Sequence, residues 1–398
     1  MIRANPEEVG MSSSRLSRIN TIMDEYVASG QLAGTLTLVA RHGKLVHSHC
    51  CGHADIESGQ TMHDETLFRI YSMTKPITSV AMMMLYEENR FHLLDPVEKY
   101  LPALGNMKVL DRMGYDGPEL VAADRSITVK DLLCHTSGLS YGFYQDTYVD
   151  HLYRECPILD SNYSLSEFVD KLGDLPLAYH PGTRWNYSVS TDVLGHLVEC
   201  LAEQPLDDFF RERILRPLGM NDTHFSVPEQ DRGRFASVYG PSKDGMESID
   251  SCADSPFLEP SPFLSGGGGL VSTAPDYLKF AQFILNKGHL EGTRLLGRKT
   301  VETMTMNHLP AALMPMQLAG NVMNGSGFGL GFRVVLDPAA TGIMSSAGSV
   351  GWGGVANTRF WVDYQENLLG IFMSQYMPAD TYSAVSDFEV AVYQSLVD

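Results

Sequence analysis

The 398-residue sequence predicts an α+β fold: one antiparallel sheet built from both chain ends, helices on its faces, and an inserted, mostly helical domain. Three observations carry that prediction. Strand and turn signals concentrate near the two ends, and the long stretch from about Glu87 to Leu264 is rich in helix patterns and Pro/Gly loops. Neither terminal set of strands can bury a face alone, so the simplest packing joins them into one sheet. The expected division is an α/β domain from residues 1–86 and 265–398, a helical domain over residues 87–264, and a cleft between them. No internal repeat at solenoid periods is present.

The elements follow in order. Ser13 to Gly30 place Leu16, Ile19, Ile22, Met23, Tyr26 and Val27 on one helical face, with hydroxyl residues at the start and Gly30 at the end. Gly34 to Arg41 alternate, His42-Gly43-Lys44 supply a turn, and Leu45 to Cys51 return as the second arm of a hairpin. Phe68 to Pro76 read as strand and turn, followed by a buried apolar helix through Tyr86. Near the other end, Phe328 to Leu336, Thr358 to Asp363 and Leu368 to Ser374 read as antiparallel strands, with a helix from Ser383 to Val397.

Composition narrows the function. Hydrophobic residues at 44% and charged residues at 19% exclude disordered and low-complexity classes. Twenty-nine Lys+Arg against 48 Asp+Glu leave a net charge of −19, which repels nucleic-acid phosphates and anionic lipid. No basic patch offsets it. Met1 to Gly10 lack a secretory pattern, and no apolar run approaches a membrane span of about 18 residues. Six cysteines without C-x-x-C spacing read as reduced thiols. The expectation is a soluble, cytoplasmic protein acting on a small molecule, without nucleic acid or membrane partners; the sequence is silent on oligomeric state.

Ser72-Met73-Thr74-Lys75 carries the first candidate chemistry. At a helix start, residues three apart share a face, so Lys75 reaches the Ser72 hydroxyl. A serine is a poor nucleophile until a neighbour takes its proton, and lysine does so only when burial or positive potential lowers its pKa from about 10.4. The same four residues also describe an N-cap serine beside a surface lysine. Tyr187, on a loop before a helix starting near Ser188 or Ser190, can project its phenol into a cleft, or simply anchor that loop. Trp352-Gly353-Gly354-Val355 can bring an edge backbone N–H close to an oxyanion, or form a flexible turn.

In this order, Ser72-x-x-Lys75, Tyr187 ahead of Asp192-Val193-Leu194-Gly195, and Trp352-Gly353-Gly354 resemble the serine β-lactamase and penicillin-recognising superfamily, and most closely its family VIII carboxylesterases. Flanking stretches look similar too: Ile127 to Leu133, His135-Thr136-Ser137-Gly138-Leu139, and Gly266 to Thr273. The resemblance covers nearly the whole chain and implies a β-lactamase/transpeptidase-like fold with its site in the interdomain cleft. It implies Ser72 as the acylated nucleophile, Lys75 and Tyr187 as the proton-transfer pair, and the backbone N–H groups of Ser72 and Val355 as the oxyanion hole. Tyr71, Trp352, Gly353 and Gly354 would line the substrate pocket.

Two departures from the β-lactamase pattern bear on substrate. Tyr187-Ser188-Val189 replaces Tyr-x-Asn, removing an amide, and Trp352 replaces the lysine of Lys-Thr-Gly, removing a cation that would pair with the β-lactam carboxylate. An apolar rim suits neutral short-chain esters. β-Lactamase, D-amino-acid peptidase or amidase, and acyltransferase activities remain the alternatives, beside a catalytically idle binding member of the fold.

Other patterns lead elsewhere. His47, His49, Cys51 and His53 alternate on one strand face, but no carboxylate or second histidine pair completes a zinc-hydrolase pattern nearby, so no metal or organic cofactor is expected. The Ser265 to Gly269 run reads as a turn feeding a helix through Thr273-x-x-Asp276. Ala347-Gly348-Ser349-Val350-Gly351 falls short of a nucleophile elbow because strand, not helix, follows. Met83, Met84 and His135 read as core packing.

Overall fold

The computed structural model describes residues 1–144, 147–243 and 245–398. Its centre is a 9-stranded sheet. The strands are β1 (Ile2–Arg3), β2 (Gly34–Arg41), β3 (Lys44–Asp55), β4 (Gln60–Thr61), β5 (Ser326–Phe328), β6 (Arg333–Val335), β7 (Val350–Gly354), β8 (Thr358–Asp363) and β9 (Leu368–Met373). Their order is β1-β3-β2-β9-β8-β7-β6-β5, with β4 pairing β3. Both chain ends thus contribute, and β2 meets β9 across Leu38↔Ile371. The exception to antiparallel pairing is β1, which lies parallel to β3 and makes the sheet mixed.

Local chemistry explains the hairpins. His42 and Gly43 both adopt positive φ, 51° and 73°, which the two-residue turn joining Arg41 to Lys44 requires. The Phe328 to Leu336 stretch departs from the sequence reading: it is not one strand. Gly331, at φ 94°, turns the chain back, so β5 and β6 pair as a short hairpin. The first helix also differs, breaking at Ser17 into one turn, Ser13–Leu16, and α1 (Arg18–Ala28).

One sheet face is covered by α1 and by α6 (Ala384–Tyr393), whose Phe388 and Val392 pack with Ile19, Met23, Trp361 and Phe372. The other carries α5 (Ala274–Leu285), where Phe280 joins Leu36, Leu38, Phe360 and Ile371. Beyond lies α2 (Thr74–Glu87), buried continuously from Thr74 to Leu85 and packed against α4 (Ser190–Ala202), which in turn contacts α3 (Val129–Leu133). Met83 and Met84 are core, as read from sequence.

The stretch between residues 87 and 264 carries α3 and α4 but also two hairpins, Lys108–Gly114 with Gly117–Ala122 and Val238–Ser242 with Gly245–Asp250. Its end is tied to the sheet side: Ser237 N–H donates to the Ala54 carbonyl and Tyr239 N–H to that of Gln375, both at 2.9 Å. Among the described residues, no helix is long and apolar enough to cross a membrane.

One register detail positions the site. β6 pairs β7 only at Val350 and Gly351, whereas β8 pairs it through Gly354. The Trp352–Gly354 end therefore has one open edge, which faces the turn leading into α2. A Cβ on Gly354 would stand 2.6 Å from the Ile70 carbonyl, so only glycine lets strand and turn approach this closely.

Candidate active site

The chain enters the site through buried Arg69. Its guanidinium donates to the Ala236 carbonyl at 2.5 Å, pairs with Asp250 at 2.7 Å and lies 3.9 Å from the centre of the Phe235 ring. From this anchor, Tyr71 at φ 40° swings the backbone into a 3₁₀ turn, Tyr71–Met73, that runs directly into α2. Ser72 sits in that turn, half-buried, and the Lys75 Nζ donates to its Oγ at 3.2 Å. The spacing that placed both residues on one helical face holds even though Ser72 precedes the α-helix proper.

Lys75 is only 1% exposed. Its Nζ also donates to the Gly267 carbonyl at 2.5 Å, and lies 4.6 Å and 5.2 Å from the ring centres of Tyr187 and Tyr141. Burial pushes its pKa down to about 7, opposed by the Asp192 carboxylate. Asp192, on the first turn of α4, accepts Ser265 Oγ–H at 2.5 Å and Gly267 N–H at 3.0 Å. Its own pKa is raised, again by burial, against the pull of Lys75. The glycine run thus does more than feed α5: Gly267 joins Asp192 to Lys75 through the two ends of one residue. A Cβ there would fall 2.5 Å from the Asp192 carboxylate.

Tyr187 stands where the loop meets α4. Its phenol accepts Trp352 Nε1–H at 3.2 Å; burial raises its pKa, while the Ser72 and Trp352 side chains act the other way. The loop is held by Tyr144 Oη, which donates to the Tyr187 carbonyl at 2.8 Å, and by Asn186 Nδ2, which donates to Leu139 O at 2.7 Å. His135 stacks on Tyr187 with ring centres 4.7 Å apart, and its Nδ1 accepts the Ser188 N–H at 3.3 Å. Burial first, and then the Lys75 charge, hold His135 neutral. It is a satisfied core histidine, as its sequence context suggests, but one that forms the back wall of this site.

The structure therefore gathers Ser72, Lys75, Tyr187 and Trp352, with Tyr71 before Ser72 and Gly353-Gly354 on the adjacent strand. Trp352, expected on the pocket wall, is 5% exposed and braces the phenol from below. Val355, just past β7, is 48% exposed. Val189 is fully buried, so it contributes nothing to an exposed rim. The apolar border comes instead from Phe143, 53% exposed and stacked on Tyr141 at 4.9 Å. Tyr141, Phe143, Gly267 and the linking role of Asp192 escaped sequence reasoning, because none shares a local spacing with Ser72. Ser349 is buried just before β7, with a turn ahead of it and strand rather than helix after it, which removes the elbow geometry.

Comparisons with known proteins bear on the family and the fold. The profile of the Beta-lactamase family matches residues 19–393. Protein Rv1367c of Mycobacterium tuberculosis is 35% identical over 89% of this chain and 88% of its own length. Esterase EstB of Burkholderia gladioli is 32% identical over 88% of each chain. Among solved structures, EstCE1, described as a hydrolase with promiscuous acyltransferase activity, superposes with a TM-score of 0.82 at 26% identity, covering 96% of this chain and 99% of its own.

Proposed function

The chain belongs to the Beta-lactamase family, and from that premise we propose that it is a serine carboxylesterase acting on short-chain esters through an acyl-enzyme on Ser72. One observation carries the reading: the Ser72 hydroxyl accepts from a buried amine whose pKa is lowered to about 7, and the Tyr187 ring centre lies 4.6 Å from that amine.

Lys75 in its neutral form, together with Tyr187, takes the proton as Ser72 Oγ bonds to the ester carbonyl carbon. The resulting oxyanion is held by the backbone N–H groups of Ser72 and Val355. The C–O bond then breaks, the alcohol leaves with the proton returned by the Tyr187–Lys75 pair, and the acyl group remains on Ser72. Water, losing its proton to the same pair, attacks the acyl carbon and releases the acid. Asp192 and Trp352 touch no reacting atom in this scheme; they position Lys75, through Gly267, and the phenol.

Ester over β-lactam preference rests on Trp352 standing where a carboxylate-binding lysine would be, and on the exposed apolar side chains of Phe143 and Val355. An alcohol competing with water for the acyl-enzyme would give acyl transfer, the activity named for EstCE1. The active site is proposed to lie between the sheet domain, residues 1–86 and 265–398, and residues 87–264. Six free cysteines suit a reducing, cytoplasmic location.

The test is a phosphonate ester probe read by intact mass and peptide mapping, beside turnover of a short-chain aryl ester and a chromogenic cephalosporin. The expected result is one label on Ser72 and fast ester turnover, both abolished in Ser72→Ala. Label elsewhere, or near-normal turnover in Ser72→Ala, removes the nucleophile assignment; efficient cephalosporin turnover moves the substrate to β-lactams.

A further inference from the structure

On the sheet face opposite α5, the alternation of β3 sets His47, His49 and Cys51 toward α1. What no local sequence pattern supplied, a carboxylate, arrives from that helix. Asp24 Oδ1 lies 2.9 Å from His49 Nε2, and one ligand atom each from Asp24, His49 and Cys51 lie within 4.8 Å of one another. Among the described residues these three form the only such cluster of metal-ligating side chains. We propose that Asp24, His49 and Cys51 bind a zinc ion that ties α1 to β3.

The donor set selects the metal. A thiolate, an imidazole and a carboxylate suit zinc, whereas magnesium and calcium take oxygen donors. Zinc bonds of about 2.0–2.3 Å at tetrahedral angles put ligand atoms about 3.3–3.7 Å apart. The present cluster brackets that range. Closing it needs rotation of the Asp24 and His49 side chains, of which Asp24 is 56% exposed. Carboxylate and thiolate together neutralise the dication. His47 lies outside the cluster, its Nε2 meeting Thr37 Oγ1 at 2.9 Å, so the fourth position falls to water. Binding replaces the Cys51 S–H bond with S–Zn and releases one proton to solvent.

The site is separate from Ser72, and its test needs no catalytic readout. Titrating the full-length protein with Co²⁺ alone should give, at one equivalent, near-ultraviolet thiolate-to-cobalt charge transfer with tetrahedral visible bands, both bleached by Zn²⁺. Cys51→Ser should abolish the charge-transfer band, and Asp24→Asn and His49→Ala should each weaken Co²⁺ binding by at least about tenfold. All three should keep turnover of the aryl ester, which certifies that they fold. Cys200→Ser is the control, because Cys200 and His196 stand 3.6 Å apart on α4 as a rival thiol–imidazole pair. Three results overturn the proposal: no charge transfer at one equivalent, a band that survives in Cys51→Ser, or unchanged affinity in Asp24→Asn.

Discussion

Replacing Lys75 by Met separates what the buried amine does for chemistry from what it does to stability. The Lys75 pKa falls from 10.5 to about 7 because the side chain is buried. At about 1.36 kcal/mol per pKa unit, holding it protonated in the folded state costs about 5 kcal/mol relative to the unfolded chain. Between about pH 7 and pH 10.4 the unfolded lysine keeps a proton that the folded one has lost, so wild-type stability rises with pH through that window and is flat below it. Methionine has no such titration. The advantage of Lys75→Met is therefore greatest below pH 7 and shrinks by about 1.36 kcal/mol per pH unit above it. Against this, the Gly267 carbonyl and Ser72 hydroxyl lose a donor, a pH-independent cost of about 1–3 kcal/mol. The variant should be inactive yet more stable by about 2–4 kcal/mol at pH 6.5, with the sign reversing between about pH 8.5 and pH 10. Urea unfolding of both proteins at half-unit steps from pH 6.5 to 9.5 measures this. Wild-type kcat/KM over the same range should fall about tenfold per pH unit below pH 7. A stability difference that stays constant with pH, or grows in favour of wild type as pH falls, would refute the reasoning and make Lys75 a resident ammonium paired with Asp192.

Other substitutions probe the supporting groups. Tyr187→Phe should lower kcat/KM by about 10²–10⁴-fold, and should cost about 1–3 kcal/mol in a denaturant melt because the buried Trp352 Nε1–H loses its acceptor. Adding Trp352→Phe should recover part of that stability without recovering activity; full additivity in the double-mutant cycle would deny the contact. Gly267→Ala, whose Cβ meets the Asp192 carboxylate at 2.5 Å, should abolish most turnover, whereas Gly268→Ala, with nothing nearer than 3.7 Å, should be near wild type in the same aryl ester assay. Asp192→Asn removes the charge that favours the Lys75 ammonium, so the acid limb of kcat/KM should move to lower pH, and an unmoved limb would detach Asp192 from Lys75.

What the sequence revealed follows the range over which each signal acts. The opening hairpin was legible because alternation and the His42-Gly43 turn lie within a few residues of each other. Ser72 and Lys75 were legible as a pair because one helical turn fixes their separation. The hairpin at Gly331 was not, because the apolar pattern from Phe328 onward runs on through the glycine that reverses it. Tyr187 and Trp352 were connected to Ser72 by family resemblance rather than by any spacing. Gly267 and Asp24 were invisible for the same reason. Each matters through a partner brought near only by the packing of α4 against α2, or of α1 against β3.

Two of the positions that break folding rules lie at the Ser72 site. Tyr71 and His135 hold φ of 40° and 57°, a region that side-chain-bearing residues enter at a cost of about 1–3 kcal/mol. One directs Ser72 and the other stacks on Tyr187. Lys75 and Asp192, both nearly solvent-free, add the desolvation of two ionisable groups. A chain selected for stability alone would place an apolar residue at Lys75 and glycine or asparagine at Tyr71. The continuous core beneath, from α2 through α4 and α5 to the sheet, is what over-determines these strained conformations. That same burial leaves the Lys75 amine largely unprotonated near neutral pH and so able to accept a proton, and the costs to folding and the gain to chemistry have one physical origin.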